Sequence, residues 1–374
     1  MPEPRILDSL EGVDPAQWDA LARGNPTVCH AFLDSLHRSG SASAETGWSP
    51  RFPTIWDGET LVAAAPLYVK GHSYGEYVFD WSWAEAYERH GIEYYPKLLV
   101  AVPFTPATGA RLLARDAVAA RELAHALLGM ARESRASSLH ILFPDERDVQ
   151  VLRGEKLLER TGVQFHWRNP GYRDFTDFLA AFAHDKRKKV RQERKRVADA
   201  GVELVRLTGR DASEGDWDFF HQCYRRTYRE HRSTPYLNRA FFRMLAERMP
   251  DNLLLVLARR GGKPIAAALD VFGEHALYGR YWGSTEYVPG LHFEACYYQG
   301  IEFCIERRIA LFEGGAQGEH KHARGFLPEK TRSFHWLAHP AFNRAVDDFL
   351  EREGEGISRY VDELNERNPY RKPA

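Results

Sequence analysis

The segment from Glu313 to Trp336 concentrates side chains that can hold or transfer a proton. It begins with a glycine pair, Gly314-Gly315, and glycine lets the main chain approach a ligand closely. Carboxylate, imidazole and cationic groups crowded into one connection are typical of a catalytic or binding site. The alternative is a set of solvated surface charges. The residues concerned are Glu319, His320, Lys321, His322, Arg324, Lys330, Arg332 and His335.

Histidine spacing in the same segment raises the question of a metal. The segment holds a His320-x-His322 pair, followed by His335-x-x-x-His339. Imidazoles at such spacings can share a cation, but the neighbouring lysine and arginine side chains would repel it, so we expect no metal site. None of the cysteines forms a C-x-x-C pair, which excludes a zinc ribbon and a dithiol redox motif.

A second candidate segment runs from Tyr68 to Trp83, where polar groups interrupt an aromatic sequence. The alternation predicts a half-open strand that lines a cleft, and the alternative is an exposed hairpin tip. Amphipathic rings of this kind line clefts well. The members of interest are His72, Ser73, Tyr74, Glu76, Asp80 and Trp81.

A third candidate is a strongly basic helix, predicted over residues 177–200 and ended by Gly201. The whole chain has 51 Lys and Arg against 52 Asp and Glu, so this cluster sits in an otherwise acidic protein. It is either a solvated linker helix or a binding arm for the phosphates of RNA or of a nucleotide-linked substrate. Its cations are Lys186, Arg187, Lys188, Lys189, Arg191, Arg194, Lys195 and Arg196.

The elements that must position these residues occur in two similar halves. The hairpin pattern WDGETLVAAAPLYV in the first half matches ARRGGKPIAAALDVF in the second, and Tyr77 and Trp81 align with Tyr278 and Trp282. Helices, an antiparallel hairpin, a helix and a strand follow in that order, which predicts an α+β fold rather than a doubly wound parallel sheet. We expect a duplication, with domains at residues 1–170 and 171–374. Neither a dinucleotide-binding G-x-G-x-x-G nor a P-loop is present.

Composition and the N-terminal sequence indicate the class of protein and its cellular compartment. Hydrophobic residues make up 44% of 374 residues, enough for sizeable cores and unlike a disordered chain. The N-terminal sequence lacks the apolar region of a signal peptide, and no apolar stretch has the length of a membrane span. With scattered cysteines, these features predict a cytoplasmic protein without membrane insertion.

Several long blocks of the sequence resemble the FemAB-like proteins, labelled peptidoglycan biosynthesis or recognition proteins, within the GNAT acyltransferase superfamily. The resemblance covers most of the chain. It is carried by HAFLDSLHRSGS (His30–Ser41), APLYVKGHSYGEYVFDWSWAEAY (Ala65–Tyr87), YYPKLLVAVPFTPATG (Tyr94–Gly109), HDKRKKVRQERKRV and EGGAQGEHKHARGFLPEKTRSFHW.

The resemblance implies two GNAT-like domains in tandem with a substrate cleft between them. Fem-type transferases move an aminoacyl group from charged tRNA to a peptide amine of a cell-wall precursor, whereas other GNAT enzymes use acetyl-CoA. The usual CoA pyrophosphate loop, Gln/Arg-x-x-Gly-x-Gly/Ala before a helix, is missing from WGSTEYVPGLHFEAC. This favours aminoacyl-tRNA over acetyl-CoA, and no bound cofactor is expected. A CoA-dependent N-acetyltransferase and a non-catalytic binding module for peptidoglycan fragments are the alternatives.

For amine acylation, a base must take a proton while a carbonyl oxygen gains charge. The first candidates for the base are Glu319 and His320, and the second are Glu76 and Asp80. Main-chain N–H groups near Tyr281–Ser284 would hold the oxyanion. Phosphates of tRNA or a nucleotide would contact Lys186, Arg187, Lys189, Arg191 and Arg194. The predicted contacts to a small peptide or amine acceptor are His72, Tyr74, Trp81, Lys97, Trp282, Lys321, Arg324, Arg332 and His335.

Overall fold

The computed structural model describes residues 3–316 and 318–371. The chain divides into two compact units, the first comprising Met1–Val163 and Lys330–Tyr360, the second Gln164–Glu329 and Val361–Ala374. The chain leaves the first unit near the expected boundary at residue 170, but it returns after Glu329. Each unit is therefore built from two stretches of sequence.

The described residues form helices and strands with the following bounds. The helices are α1 (Pro15–Leu21), α2 (His30–Arg38), α3 (Trp81–Arg89), α4 (Ala117–Glu133), α5 (Glu146–Leu152), α6 (Phe175–Ala180), α7 (His184–Asp199), α8 (Glu214–Glu230), α9 (Arg239–Arg248), α10 (Leu291–Phe293), α11 (Gln299–Arg307) and α12 (Pro340–Glu366). Short 3-10 helices span Pro250–Asn252 and Glu319–Arg324, and a π-helical turn spans Glu294–Tyr298. The strands are β1 (Glu3–Leu7), β2 (Trp48–Pro50), β3 (Phe52–Asp57), β4 (Thr60–Ala64), β5 (Leu67–Lys70), β6 (Lys97–Val100), β7 (Leu113–Ala114), β8 (Ser138–Leu142), β9 (Leu158–Arg168), β10 (Val202–Thr208), β11 (Leu253–Arg260), β12 (Lys263–Phe272), β13 (Ala276–Ser284), β14 (Leu311–Glu313) and β15 (Leu327–Leu337).

The first unit contains two sheets. One has the order β1-β3-β4-β7, and in the other β2, β5, β6 and β8 are neighbours, with residues 333–337 of β15 paired to β8. Helix α4 begins where the Asp116 carboxylate accepts from two main-chain N–H groups of its first turn. Its apolar face, including Leu123 and Leu127, packs against Ile141 and other buried strand residues. This core fixes the parallel pair β6 and β8.

The second unit repeats the same plan. Its strand order is β10-β11-β12-β13-β14, followed by residues 166–168 of β9. All these neighbours are antiparallel except β13 and β14, which are parallel and joined through α11. In both units, then, a strand, a helix and a parallel strand follow an antiparallel pair. This confirms the predicted α+β class and the tandem arrangement.

Two local predictions are wrong. Tyr68–Trp83 is not one strand, since β5 ends at Lys70, a loop follows, and Trp81 begins α3. Positive φ angles at Gly75 and Tyr77 turn this loop, so Tyr77 and Trp81 are not equivalent to Tyr278 and Trp282 on β13.

The segment Glu313–Trp336 is likewise not one loop. It contains the 3-10 helix Glu319–Arg324 and most of β15. Arg332 and His335 therefore belong to the first unit, whereas His320 and Lys321 belong to the second. Within the described residues, no helix combines the length and the apolar character needed to cross a bilayer.

Candidate active site

A cavity of about 260 Å³ lies in the second unit where β13 and β14 separate. The two strands pair only from Ala276↔Leu311 to Tyr278↔Glu313, after which β13 continues and the chain after β14 turns away. Gly315 at this turn has φ of +86°, a conformation that favours glycine. The lining residues are Ala268, Asp270, Gly279, Arg280, Tyr281, Trp282, His292, Cys296, Tyr297, Gly314, Gly315, Ala316, His320 and Lys321.

A β-bulge shapes the strand side of this cavity. Leu269 pairs with Tyr281, but Asp270 pairs with Gly279, so Arg280 is the extra residue on β13. Bulges re-aim side chains and are common beside active sites. Gly279 leaves little space, because a Cβ there would lie 3.3 Å from the Phe312 ring and 3.5 Å from Asp270 Oδ1.

Lys321 supplies a buried amine to the cavity. Its side chain is 3% exposed and its Nζ donates to the Gly315 carbonyl at 2.9 Å. Burial lowers the pKa of Lys321 to about 8. At neutral pH this amine is therefore mostly an ammonium group, and it can also lose its proton within the physiological range.

His320 is the second proton-active group that borders the cavity. Its Nε2 lies 2.9 Å from the Tyr297 hydroxyl. Burial, together with the positive charges of Lys321 and Arg324, lowers the pKa of His320. The imidazole is therefore neutral at pH 7 and can accept a proton. Glu319, its neighbour in sequence, is exposed and does not line the cavity.

Asp270 and Cys296 complete the cavity wall. Asp270 is 2% exposed, and burial raises the pKa of its carboxyl well above the usual value. Burial and the nearby Asp270 likewise raise the pKa of the Cys296 thiol. Cys296 is thus a protonated thiol at neutral pH and a poor nucleophile.

Two arginines expected at ligands are instead held by carboxylates of their own unit. Arg324 donates to Glu193 at 2.6 Å, and the same carboxylate accepts from the Tyr298 hydroxyl. Arg194 donates to Glu294 at 2.9 and 3.0 Å and to Glu302 at 2.7 Å. Arg194 and the Tyr298 hydrogen bond join α7 to the π-helical turn that carries Cys296 and Tyr297. The Arg324 pair joins α7 to the 3-10 helix that carries His320 and Lys321.

The exposed face of α7 presents the remaining cations. A shallow depression of about 330 Å³ along this face is lined by His184, Arg187, Lys188, Arg191, Gln192 and Lys195. Lys195 is paired with Asp199 of its own helix, and Lys186 lies 3.7 Å from Asp185. Lys189 is exposed on a neighbouring face.

Glu76, Asp80 and Lys97 form a separate buried cluster in the first unit. Lys97 Nζ donates to Ser73 and to Glu76 at 2.8 Å each and also to Asp80. Burial would raise the pKa of Asp80, but Lys97 holds it below its usual value. Burial raises the pKa of Glu76 to about 7. A hydrogen-bond chain continues from Asp80 through Tyr94, His140 and His335 to Ser333.

The other predicted acceptor contacts lie in the first unit too. His72 contacts the Thr46 carbonyl at 3.1 Å, and Tyr74 is exposed and packs against Trp81. Trp81 lines a cavity of about 650 Å³ with Tyr95. Arg332 is paired with Glu159 at 2.7 Å. Of the predicted residues, the cavity in the second unit thus gathers His320, Lys321 and Trp282.

Sequence reasoning missed Asp270, Gly279, Arg280, His292, Cys296 and Tyr297 as cavity residues. One signal was available for Asp270, the only charged residue in the otherwise apolar run PIAAALDVF. Among the described residues, no group of three or more His, Cys, Asp or Glu side chains is arranged to hold a metal.

The fold is that of a protein with two similar α+β units, one of which holds this cavity. Comparison of the sequence with protein-family models finds a match over residues 9–372 to the FemAB-like family, described as peptidoglycan biosynthesis/recognition. The chain belongs to this family. No curated protein matches the chain.

Solved structures share the fold at low sequence identity. FemX matches with a TM-score of 0.56 at 10% identity, covering 92% of this chain and 100% of its own. The C-terminal domain of a putative lysylphosphatidylglycerol synthetase from Agrobacterium fabrum matches with a TM-score of 0.54 at 12% identity, covering 88% and 94%. L-PGS from Bacillus licheniformis matches with a TM-score of 0.54 at 11% identity, covering 90% and 97%. At these identities the likeness concerns the fold alone.

Proposed function

We propose that this protein is a Fem-type transferase that moves an aminoacyl group from aminoacyl-tRNA to an amine of a peptide or cell-wall-precursor-like acceptor. The reaction would take place in the cavity between β13 and β14. The observation that carries the proposal is that a buried amine, Lys321, and an imidazole, His320, line the same cavity. Family membership supports the same reaction class.

The residues divide the chemical work as follows. The acceptor nitrogen attacks the carbonyl carbon of the aminoacyl ester, so a C–N bond forms and the ester C–O bond breaks. Lys321 donates to the oxygen that gains negative charge, with main-chain N–H groups of Tyr281–Ser284 as the proposed second donors. His320 takes the proton from the attacking amine and returns a proton to the departing ribose oxygen.

The cavity volume supports a small reacting group. About 260 Å³ is less than the roughly 300–1,000 Å³ of cavities that hold drug-sized molecules. An aminoacyl group would enter while the rest of a large donor stays outside. Basic residues on α7 would then contact phosphates of the tRNA.

Packing at the start of the α10 helix argues against a CoA donor. A Cβ at Gly290 would lie 3.3 Å from the main-chain oxygen of Glu193, so α7 lies directly against this helix start. CoA-type recognition needs that position open for a pyrophosphate.

The choice of donor can be tested with purified protein, an amine acceptor, and either labelled aminoacyl-tRNA or labelled acetyl-CoA. We expect acceptor labelling from the tRNA alone, and labelling from acetyl-CoA alone would overturn the proposed donor.

Variants of Glu319 and His320 test which of these two neighbouring residues is the general base. Because His320 lines the cavity and Glu319 does not, we expect His320→Ala to lower kcat about 100-fold and Glu319→Ala to leave kcat nearly unchanged. Single-turnover transfer by both variants is the measurement. A larger loss in Glu319→Ala than in His320→Ala would reassign the base to Glu319.

The proposed tRNA contact predicts a defined salt effect. Replacing Arg187, Lys188 and Arg191 by glutamine should weaken tRNA binding and reduce the slope of log K against log salt by about one per residue. The matched control replaces Arg121 and Arg132 of α4 and Arg135 just after it, three exposed arginines of the first unit, and changes the net charge equally. Filter binding over a salt series measures both. Equal slopes for the two triple variants would exclude α7 as the tRNA contact.

A further inference from the structure

We propose that Asp270 is the receptor for a primary ammonium group of one of the two substrates in this cavity. The inference rests on the proposed function, because it names a binding subsite within the same cavity. It adds a specificity-determining residue to the machinery described above.

The placement of Asp270 is unusual for a carboxyl group. It lies on β12, between β11 and β13, with Leu269 and Val271 as its sequence neighbours. It is 2% exposed, yet it lines the cavity. Its Oδ2 has no hydrogen-bond partner among the described residues. Buried polar atoms are normally satisfied, so an unsatisfied carboxyl oxygen beside a cavity points to a missing donor.

The two cations that line the cavity do not pair with Asp270. Lys321 Nζ donates to the Gly315 carbonyl at 2.9 Å, and Arg280 donates to the Tyr281 hydroxyl at 3.1 Å. Asp270 makes no ion pair with any residue that the structure describes. An entering substrate can supply the partner that Asp270 lacks among the described residues.

An ammonium ion suits this carboxyl better than a neutral donor does. Burying a lone carboxylate is costly, and burial raises the pKa of Asp270 well above its usual value, so the protonated carboxyl is favoured where no cation is bound beside it. Burial and the nearby Asp270 raise the pKa of the Cys296 and Cys304 thiols, which are therefore protonated at neutral pH. The other charged or titratable groups that line the cavity with Asp270 are Arg280, His292, Tyr281, Tyr297, His320 and Lys321. When an ammonium ion binds, Asp270 loses its proton and an ion pair forms. Binding at neutral pH should therefore release a proton.

Two groups in the proposed reaction carry this chemistry. One is the α-ammonium group of the aminoacyl donor, and the other is the ammonium form of the acceptor amine. Both are primary ammonium ions, so the chemistry of the cavity does not distinguish between them. One probe for each substrate makes the distinction experimentally.

Isothermal titration calorimetry in buffers of different ionisation enthalpy tests the proposal without any turnover. The donor probe is 3′-alanylamido-3′-deoxyadenosine and the acceptor probe is Nα-acetyl-lysinamide, each compared with the form in which its primary amine is acetylated. We expect one of the two free amines to bind about 10- to 100-fold more tightly than its acetylated form and to release about one proton. The probe that does so identifies the source.

Variants connect the effect to Asp270. Asp270→Asn and Asp270→Val should lose both the proton release and the preference for the free amine, and both should unfold at a higher temperature than the wild type, since an unsatisfied buried carboxyl is removed. Asp348→Asn, at an exposed position, is the control. Unchanged proton release in Asp270→Asn, or failure of both free amines to bind better than their acetylated forms, overturns the proposal. Proton-linked binding in a protein that transfers nothing would keep the subsite and reject only the proposed reaction.

Discussion

Lys321→Met should lower kcat for aminoacyl transfer about 100- to 1,000-fold, the loss that follows removal of one oxyanion donor from a preorganised site. Methionine keeps the length of the aliphatic stem, so the buried chain still fills its space while the charge is gone. Single-turnover transfer from charged tRNA measures the effect. Lys263→Met, at an exposed position on β12, is the matched control and should transfer at the wild-type rate.

The charge of Lys321 also predicts a pH dependence. Its pKa is lowered to about 8, so the ammonium form is lost as pH rises through 8 and the transfer rate should fall there. Lys321→Arg keeps a positive charge at all these pH values and should restore part of the rate without the alkaline fall. An alkaline fall unchanged in Lys321→Arg, or full activity of Lys321→Met, would show that Lys321 has no role in the reaction.

The largest effect on stability is expected in the first unit. Lys97→Met should reduce the free energy of unfolding by about 3–5 kcal/mol, because it leaves two buried carboxylates without their cation. Lys97 is fully buried between Glu76 and Asp80, which are themselves buried. Lys70 stands opposite Lys97 in the β5–β6 register and forms a longer ion pair with Glu76, at 4.0 Å against 2.8 Å for Lys97, so it compensates for the lost charge only in part. Urea unfolding at pH 7 measures the difference.

The pH dependence of this loss has a definite sign. In the wild type, the depressed pKa of Asp80 contributes stability that is present above its unfolded pKa of about 3.9 and is lost as pH falls toward the folded value. Glu76 acts in the opposite direction, since its pKa is raised to about 7 and its ionisation costs stability as pH rises toward that value. Without Lys97 both carboxyls resist ionisation. The deficit of Lys97→Met should therefore be smaller at pH 5 than at pH 8.

A compensated variant separates charge from packing. Adding Glu76→Gln and Asp80→Asn to Lys97→Met removes the unpaired charges and should recover part of the lost stability. Lys263→Met again serves as the exposed control, with little expected change. A deficit that is independent of pH and is not reduced in the triple variant would mean that packing, rather than the ion cluster, holds this part of the unit together.

Patterns within short stretches were sufficient for much of the fold. Glycine turns between apolar strands predicted the hairpins β3–β4 and β11–β12, and the periodicity of Leu123 and Leu127 predicted α4. Tyr68–Trp83 was mispredicted because alternation suggested a strand, while positive φ angles at Gly75 and Tyr77 turn the chain instead. The pattern of polar and apolar residues does not reveal that a non-glycine residue such as Tyr77 has a positive φ angle.

The site was predicted only in part, for a similar reason. His320 and Lys321 lie together in sequence and reach the same cavity, so composition alone pointed to them. Asp270 and Cys296 join them through strand and helix packing, which no local pattern encodes. His335 was assigned to the same site, but β15 places it opposite His140 in the other unit. The clustering of titratable residues along the sequence therefore identified one segment of the site but assigned too many residues to it.

The position of a bound donor analogue tests the central claim most directly. A crystal structure of the protein with 3′-alanylamido-3′-deoxyadenosine should place the amide carbonyl oxygen within hydrogen-bonding distance of Lys321 Nζ, in the cavity between β13 and β14. Density for the analogue elsewhere on the protein, with this cavity empty, would contradict the assignment of the cavity as the site of transfer.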